Sequence, residues 1–467
     1  MRTPPLASGP EGPHALRPLI DTVLRALDDG ARARGGPLPA GGPDAVAARL
    51  REAVGEALPD QGDPHALRTL VRAFAEGAAD PAHPLCAAHL HCPPLALAAA
   101  ADLAASALNP SLDSWDQAPA ASELETLVAT ALAAEVYGAG ADGDTGPDSL
   151  ITTGGTESNQ LALLLAREAY GGPVRLVCGT NAHHSLSRAA WLLGLPDPVV
   201  VPAPAGTLHP DALDEALSRL PGPLLVAATA GTTDAGLIDP LPEIAARCAA
   251  HRARLHIDAA YGGGLLFSDR HRPRLAGLDA ADTVTLDLHK LGWQPVAAGL
   301  LAVKDPHDLT ALRHRADYLN AADDTEAGLP DLLGRSLRTT RRPDVLKLAV
   351  TLRTLGRSGL GALVDQVCTR AAEFAALVED HPGFELHARP VISTVLFRPA
   401  GAGDATVAAV RRALLTDGRA VLGRARLDGR LWLKATLLNP ATGPDDLAAL
   451  LHLVTARQAT LVEGHTP

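Results

Sequence analysis

The chain has 467 residues, of which 47% are hydrophobic and 20% are charged, the balance of an ordinary globular protein. Its formal charge is −12 and no basic run stands out in the sequence, so we expect no nucleic-acid partner. Five cysteines without CxxC spacing argue against a disulfide framework and a zinc site, and they favour a reducing, cytoplasmic setting.

The first 80 residues alternate amphipathic stretches with joints rich in glycine and proline, which predicts an N-terminal helical arm over residues 1–80. Proline and glycine interrupt the beginning of this arm, where a signal peptide needs a continuous apolar stretch, so we expect no secretion signal. The longest apolar run covers residues 95–108 and is shorter than the ~20 residues that span a bilayer. It predicts a buried helix, and we expect no membrane association.

From about residue 147, short apolar strands alternate with helices, which predicts an α/β domain with a largely parallel sheet. The predicted strands are SLITT, VRLVC, LLVAATA, RLHIDAA, TVTLDL and AAGLLAV. We place a large domain over residues 81–350. Residues 351–467 combine helical segments with the strands VISTVLFR and LWLKATLLN, which predicts a smaller α+β domain.

Polar residues follow several predicted strands, at the sheet edge where α/β proteins bind ligands. Asp287, His289 and Lys290 come directly after TVTLDL. A buried lysine suits Schiff-base chemistry, because burial disfavours its charged form. A lone lysine at this position is more often a strand-end residue whose ammonium reaches solvent. The other strand ends decide between these interpretations.

Asp258 follows the strand RLHI and precedes two small residues, Ala259 and Ala260. A carboxylate here suits the pyridinium nitrogen of pyridoxal 5′-phosphate (PLP), because an ionised aspartate keeps that nitrogen protonated. An isolated aspartate before small residues is otherwise a cap or turn residue. Lys290, at the next strand end, favours the cofactor role.

The segment ITTGGTESNQLALLLAREAY predicts a strand, a glycine turn and an amphipathic helix with Leu161, Leu164 and Leu165 on one face. Gly155 and Thr156, with the free N–H groups of the helix start, would form an anion site for a phosphate. On its own a Gly-Gly pair is often only a turn, and the segment is neither a Walker loop nor a dinucleotide-binding GxGxxG.

Two further segments carry candidate ring contacts. His183 and His184 stand at another predicted helix start, and Thr232 follows the strand LLVAATA. A histidine there could stack on the cofactor ring, and Thr232 could approach the ring face or O3′. For either histidine alone, a capping or surface role is the more common one.

Taken together, these segments resemble the group II PLP-dependent amino-acid decarboxylases, a fold-type-I family that includes aromatic amino acid, glutamate, 2,4-diaminobutyrate and lysine decarboxylases. The resemblance extends from about His83 onward. It is carried by HPLCAAHLHCPP, LNPSLDSWDQAPAASELE, TTGGTESN, HHSLSRAA, ATAGTTDAGLIDPLPEI, HIDAAYGG, DLHK and RTTRRPDVLKL. It implies a fold-type-I PLP enzyme that decarboxylates an L-amino acid, with a mostly parallel sheet of the seven-stranded type in its large domain.

The resemblance implies roles for the candidate residues. Lys290 is the expected Schiff-base lysine and Asp258 the expected pyridinium partner. The other cofactor contacts surround the ring or the phosphate: His183 stacks on the ring, Thr232 and Ala260 line its faces, and Gly155, Thr156 and His289 lie around the phosphate.

The resemblance also implies a homodimer with active sites at the interface, where the segment from His89 to Cys92 approaches the substrate. Within the family, AHLHCP, NPSLDSWDQ, RADYLN, SLRTTRRPD and LKATLLNP are most similar to bacterial 2,4-diaminobutyrate and siderophore-type lysine decarboxylases. The expected substrate is therefore a diamino acid, either 2,4-diaminobutyrate, ornithine or lysine, with a product that enters polyamine or siderophore biosynthesis. The candidate substrate residues are His89, His91, Cys92 and Tyr318.

Three positions depart from the pattern of this branch. His91 and Cys86 stand where the branch more often has an asparagine and an aromatic residue, and Pro343 replaces a usual phenylalanine. The loop that we place at about residues 319–335 contains no tyrosine, although aromatic decarboxylases use a loop tyrosine in protonation. Tyr318, at the edge of this loop, is the nearest candidate.

Other activities stay open at this point. Aminotransferases of the same fold share the aspartate and lysine, but they retain the substrate carboxylate and usually bind it with a late arginine. A decarboxylase of aromatic or acidic amino acids, an oxidative decarboxylase that produces an aldehyde, and a non-catalytic binding protein are the remaining alternatives. The combination of Lys290, Asp258 and His183 argues against the last.

Overall fold

The computed structural model describes residues 4–139 and 146–463. Its helices, in chain order, are α1 (Gly12–Arg34), α2 (Gly42–Val54), α3 (Ala66–Gly77), α4 (Ala96–Leu108), α5 (Pro119–Tyr137), α6 (Gly155–Ala169), α7 (His184–Leu192), α8 (Pro210–Ser218), α9 (Leu241–His251), α10 (Leu288–Leu291), α11 (Ala322–Glu326), α12 (Val345–Asp380), α13 (Asp404–Thr416) and α14 (Pro444–Glu463). Its strands are β1 (Cys86–Ala87), β2 (Asp148–Thr152), β3 (Arg175–Gly179), β4 (Val199–Val201), β5 (Leu224–Thr229), β6 (Arg254–Ala259), β7 (Thr283–Asp287), β8 (Gly299–Val303), β9 (Phe384–Leu386), β10 (Thr394–Pro399), β11 (Val421–Leu427) and β12 (Arg430–Thr436).

The chain forms two compact units. One comprises residues Met1–Pro93 together with Thr369–Pro467, and the other comprises Pro94–Cys368. The predicted division at residues 80 and 350 stays a prediction. Within the described ranges, no helix is both long enough and apolar enough to cross a membrane.

The unit Pro94–Cys368 is built on a seven-stranded sheet in the order β2-β8-β7-β6-β5-β3-β4. Strand β8 runs antiparallel to both of its neighbours, and all other neighbours are parallel. This confirms the predicted α/β fold of type I and its six strands. The sequence pattern missed β4, because three residues are too few to show a period.

The polar residues of two central strands share one face of this sheet. In β6 and β7, His256 pairs with Thr283 and Asp258 pairs with Thr285. Because side chains alternate between the two faces of a strand, Asp287 also lies on this face. Helix α6 covers it, and a Cβ atom added at Gly155, at the start of that helix, would lie 3.6 Å from Cγ2 of Thr285. The sheet register therefore gathers these polar side chains beneath one helix.

Glycines allow the close approach of the strands at this end of the sheet. A Cβ atom added at Gly299 would lie 2.4 Å from the Cα atom of Gly154. Gly154 itself has a φ of 144°, a backbone conformation that other residues rarely adopt. The turn between β2 and α6 thus depends on glycine.

Two helices differ from their predicted burial. Helix α4 buries Ala98, Ala101 and Ala105 but exposes Leu103 and Leu108, so the prediction of a buried helix was wrong for one face. Alanine and leucine fill most positions of this helix, so its sequence carries only a weak directional signal. Helix α6, predicted as amphipathic, is buried on more than its leucine face, because it covers the polar face of the sheet.

The other unit contains the helical arm α1–α3 and a second sheet in the order β1-β11-β12-β10-β9. Strand β1 is parallel to β11, and the remaining neighbours are antiparallel. Strands β10 and β12 confirm the two strands predicted near the C-terminus. The core beside this sheet includes Phe374 and Phe397, whose ring centroids lie 5.3 Å apart.

Candidate active site

Lys290 and Asp287 form an ion pair at the end of β7. The Nζ atom of Lys290 lies 2.9 Å from Oδ2 of Asp287, and Nε2 of His289 lies 3.5 Å from the same oxygen. The side chain of Asp287 is only 3% exposed, and that of Lys290 is 19% exposed. A buried carboxylate requires a nearby positive charge or hydrogen-bond donors. The pair therefore holds the lysine ammonium at the sheet edge.

Asp258 is buried and has a hydrogen-bond donor at each carboxylate oxygen. The backbone N–H of Ala260 donates to Oδ1 at 3.1 Å, and Nδ2 of Asn159 donates to Oδ2 at 2.8 Å. The bond to Ala260 is the turn interaction expected of an aspartate before small residues. The bond to Asn159 has no such local explanation, and it fixes the second oxygen.

Asn159 connects Asp258 to three further buried residues. Its Nδ2 also donates to Oγ of Ser185 at 2.9 Å. Its Oδ1 accepts from Oγ1 of Thr285 at 3.0 Å and lies 3.0 Å from Nε2 of His256. Burial lowers the pKa of His256 well below its ordinary value. Sequence reasoning missed Asn159, Ser185 and His256 as site residues.

His183 is the N-cap of α7. Its Nδ1 accepts from the backbone N–H of Ser185 at 3.3 Å and lies 2.7 Å from the Oγ atom of that serine. Burial lowers the pKa of His183, and the nearby charge of Asp258 opposes this shift. The capping role is thus observed, and stacking on a cofactor ring stays a prediction.

The glycine turn before α6 lies close to Ala260, Asp287 and His289. A Cβ atom added at Gly155 would lie 3.1 Å from the Cβ of Ala260 and 3.2 Å from Oδ2 of Asp287. A Cβ atom added at Gly154 would lie 2.9 Å from Cε1 of His289. The structure thus brings the turn together with Ala260 and His289, and the predicted phosphate site at this helix N-terminus stays a prediction.

Thr156 and Thr232 occupy different environments. Thr156 is exposed in the first turn of α6, at the mouth of the glycine turn. Thr232 is buried just beyond β5, where its Oγ1 accepts from the backbone N–H of Leu237 at 3.0 Å. Their predicted contacts to phosphate and ring stay predictions.

The candidate substrate residues are spread over both units. Tyr318 belongs to the unit with Lys290, and its side chain is 83% exposed. His89, His91 and Cys92 belong to the other unit, where both histidines are exposed and Cys92 is buried. Partial burial and then the charge of Lys434 lower the pKa of His89. Their predicted substrate roles stay predictions.

The residues present fit PLP. Lys290 provides an amine, Asp258 a buried carboxylate with both oxygens oriented, and the glycine turn a cradle that a side chain would fill. The buried Oδ1 of Asp287 has no hydrogen-bond partner among the described residues, so this oxygen can still accept a hydrogen bond beside the glycine turn. The fold and this combination of groups define a fold-type-I PLP enzyme.

Comparison with known proteins narrows the class. The family model described as the pyridoxal-dependent decarboxylase conserved domain matches residues 49–400. The chain is 42% identical to an L-2,4-diaminobutyrate decarboxylase of Rhizobium meliloti (strain 1021), over 84% of this chain and 82% of that protein. It is 33% identical to an L-2,4-diaminobutyrate decarboxylase of Acinetobacter baumannii, over 85% of this chain and 84% of that protein.

A solved structure agrees with these matches. The crystal structure of the glutamate decarboxylase domain of diaminobutyrate-pyruvate transaminase and L-2,4-diaminobutyrate decarboxylase from Vibrio parahaemolyticus superposes with a TM-score of 0.85 at 30% identity. The superposition covers 97% of this chain and 98% of that one. The chain belongs to the pyridoxal-dependent decarboxylase family, and it is a PLP-dependent amino-acid decarboxylase.

Proposed function

We propose that the protein decarboxylates a linear L-diamino acid, and that L-2,4-diaminobutyrate is its preferred substrate. The identity of 42% to the enzyme of that name from Rhizobium meliloti, over 84% of the chain, carries the proposal. In this reaction the bond from Cα to the carboxylate breaks, CO₂ leaves, and a proton takes its place at Cα. The products would be CO₂ and 1,3-diaminopropane.

The proposed roles follow from where each side chain lies. PLP, when bound, supplies an electron sink for the electron pair left at Cα by the departing CO₂. Lys290 would hold the aldehyde carbon of the cofactor, and Asp258 would accept a hydrogen bond from its ring nitrogen. The remaining cofactor contacts would be His183 against the ring, Thr232 and Ala260 beside its faces, and Gly155, Thr156 and His289 around the phosphate.

A diamino acid also requires recognition of its distal ammonium. A buried ammonium without an acceptor loses several kcal/mol, so at least one acceptor must lie at the correct depth. We propose His89, His91, Cys92 and Tyr318 as substrate-binding residues. The lowered pKa of His89 favours its neutral ring, which has one nitrogen able to accept.

We further propose that the protein is a homodimer in the cytoplasm. Helices α1 and α3 of the arm expose large apolar side chains, including Leu24 at 58% and Phe74 at 71%. Exposed apolar side chains of this kind on two helices of the arm would suit contact with a second copy of the same arm. Cys86, Cys178, Cys248 and Cys368 are free thiols, which suits a reducing compartment.

The substrate proposal is tested with a panel of L-amino acids: 2,4-diaminobutyrate, ornithine, lysine, glutamate and phenylalanine. Amine and CO₂ are measured together, with keto acid and hydrogen peroxide as additional readouts. We expect kcat/KM for 2,4-diaminobutyrate to exceed that for ornithine by about tenfold or more, because one misplaced methylene costs about 1–3 kcal/mol. Faster turnover of glutamate or phenylalanine than of every diamino acid would refute the substrate and leave decarboxylation intact. Keto acid or peroxide as the main product would refute simple decarboxylation.

A further inference from the structure

A single buried amide joins two residues of the cofactor site. One N–H of Asn159 donates to Oδ2 of Asp258 at 2.8 Å, and the amide nitrogen also donates to Oγ of Ser185 at 2.9 Å. That Oγ lies 2.7 Å from Nδ1 of His183. Asn159 thus contacts the expected partner of the ring nitrogen directly, and it reaches the expected stacking histidine through one hydroxyl.

The other end of the amide is fixed by donors. The hydroxyl of Thr285 donates to Oδ1 of Asn159. An amide oxygen can only accept, so Nε2 of His256, 3.0 Å from the same oxygen, is the second donor. Nδ1 of His256 then accepts from Oγ1 of Thr283, at 2.9 Å. A flipped amide would turn its NH₂ group toward the hydroxyl of Thr285, so His256 and Thr285 together set its orientation.

Burial makes this arrangement rigid. The side chains of Asn159, Ser185, His256 and Thr285 are all completely buried, and burial lowers the pKa of His256 so that its ring is neutral at neutral pH. A neutral ring has one donor and one acceptor nitrogen, which matches Asn159 and Thr283. The hydrogen-bonding groups of the amide are therefore fully used in one orientation.

We propose that Asn159 is a positioning residue for the cofactor, which holds Asp258 and His183 in one fixed relative geometry, and that His256 sets the orientation of its amide. The proposal rests on the placement of PLP described above. Asn159 acts through Asp258 and Ser185, and it needs no contact with the reacting atoms.

The first test replaces the amide by an apolar group of similar size, Asn159→Leu, and measures the dissociation constant of PLP for the apoprotein. Loss of a hydrogen bond to the charged Asp258 should weaken PLP binding by about tenfold or more. Ser149→Ala is the matched control: Oγ of Ser149 is equally buried and donates to the carbonyl of Ala129 at 2.7 Å, away from Asp258. This control should lower the melting temperature and leave PLP affinity within about twofold.

A second pair of variants tests the orientation of the amide. His256→Gln retains an N–H donor toward Asn159 and should keep PLP affinity near that of the wild type, whereas His256→Leu should weaken it about as much as Asn159→Leu. Equal PLP affinity of the two His256 variants would overturn the orienting role. This comparison stands even where Asn159→Leu fails to fold.

Asn159→Asp provides a test with a pH signature. The titratable groups around this position are Asp258, His256 and His183, with Lys290 and Asp287 at the adjoining strand end. At neutral pH the new carboxylate faces Asp258 and repels it, and at lower pH one shared proton restores a donor between them. PLP affinity relative to the wild type at the same pH should therefore recover as the pH falls.

The outcomes separate this proposal from the proposed function. PLP affinity of Asn159→Leu equal to that of Ser149→Ala, together with a pH-independent deficit in Asn159→Asp, would show an ordinary core asparagine and overturn the inference. Because the readout is cofactor affinity, failure of the wild type to decarboxylate diamino acids would refute the substrate and leave this test unchanged.

Discussion

Replacing Lys290 by alanine should have two separable effects. The first is the loss of nearly all turnover, because the cofactor loses the amine that holds it and that exchanges with the substrate amine. The second is a loss of stability in the cofactor-free protein. In that state Nζ of Lys290 lies 2.9 Å from a carboxylate of Asp287 that is only 3% exposed. The variant leaves this carboxylate without its nearest cation.

The size of the second effect follows from the burial of the pair. Breaking a fully buried ion pair by removing one partner costs about 3–5 kcal/mol. Lys290 is 19% exposed, so water screens part of the interaction, and we expect about 2 kcal/mol in the free energy of unfolding. His289, 3.5 Å from the same oxygen, compensates little, because burial lowers its pKa and so favours the neutral ring.

Urea denaturation of the apoprotein measures this term without the cofactor. The matched variants are Asp287→Asn and the double variant Lys290→Ala/Asp287→Asn. The double variant has no uncompensated charge, so it should regain about 1–2 kcal/mol relative to Lys290→Ala. An apo Lys290→Ala protein as stable as the wild type would show that the ion pair contributes nothing. Turnover within about tenfold of the wild type would refute the assignment of Lys290 itself.

Four further outcomes are expected. Asp258→Asn should bind PLP but lose about 10²-fold or more in kcat, measured by amine release, because the side chain beside the cofactor ring nitrogen would no longer be charged. A normal kcat would show that Asp258 has only a structural role. Gly155→Ala should weaken PLP binding by about tenfold, because the added Cβ would lie 3.1–3.2 Å from Ala260 and Asp287. Unchanged affinity in a cofactor titration would contradict the proposed phosphate site at the glycine turn. Sedimentation should report about twice 48.1 kDa for the wild type and a shift toward monomer for Phe74→Asp; a fully active wild-type monomer would contradict the dimer. The pKa of His256 is lower in the folded than in the unfolded protein, so the stability that its neutral ring contributes is present at neutral pH. As the pH falls below about 6.5, the free energy of unfolding should decrease by up to about 1.4 kcal/mol per pH unit. Urea denaturation should show a smaller decrease for His256→Gln than for the wild type.

The site residues that could be predicted from the sequence are those that directly follow a predicted strand. Lys290 and Asp258 each follow a continuous apolar run, and a polar residue at that point is conspicuous. The glycine turn before α6 is conspicuous for the same reason, since its two glycines directly precede a helical pattern. A Cβ atom added at Gly155 would lie 3.1 Å from Cβ of Ala260 and 3.2 Å from Oδ2 of Asp287, so the turn lies beside these strand ends.

The hydrogen-bond network behind the site could not be predicted in the same way. Asn159 lies between Ser158 and Gln160 on a helix whose apolar face is marked by its leucines, and this pattern does not distinguish its amide from an exposed one. Two weak signals were present: Asn159 is one helical turn after Gly155, and His256 is two residues before Asp258 on the same face of a strand. Choosing among the possible partners requires distances and donor directions, which no sequence period contains.

The shared face of β6 and β7 has a consequence for the order of folding. A slip of one residue between these strands would turn Thr283, Thr285 and Asp287 to the opposite face and separate them from His256 and Asp258. The cofactor site can therefore form only when these two strands have paired in the correct register. We therefore expect PLP to bind only after β6 and β7 have paired in this register, so that the rate of PLP binding during refolding would report the completion of the central sheet.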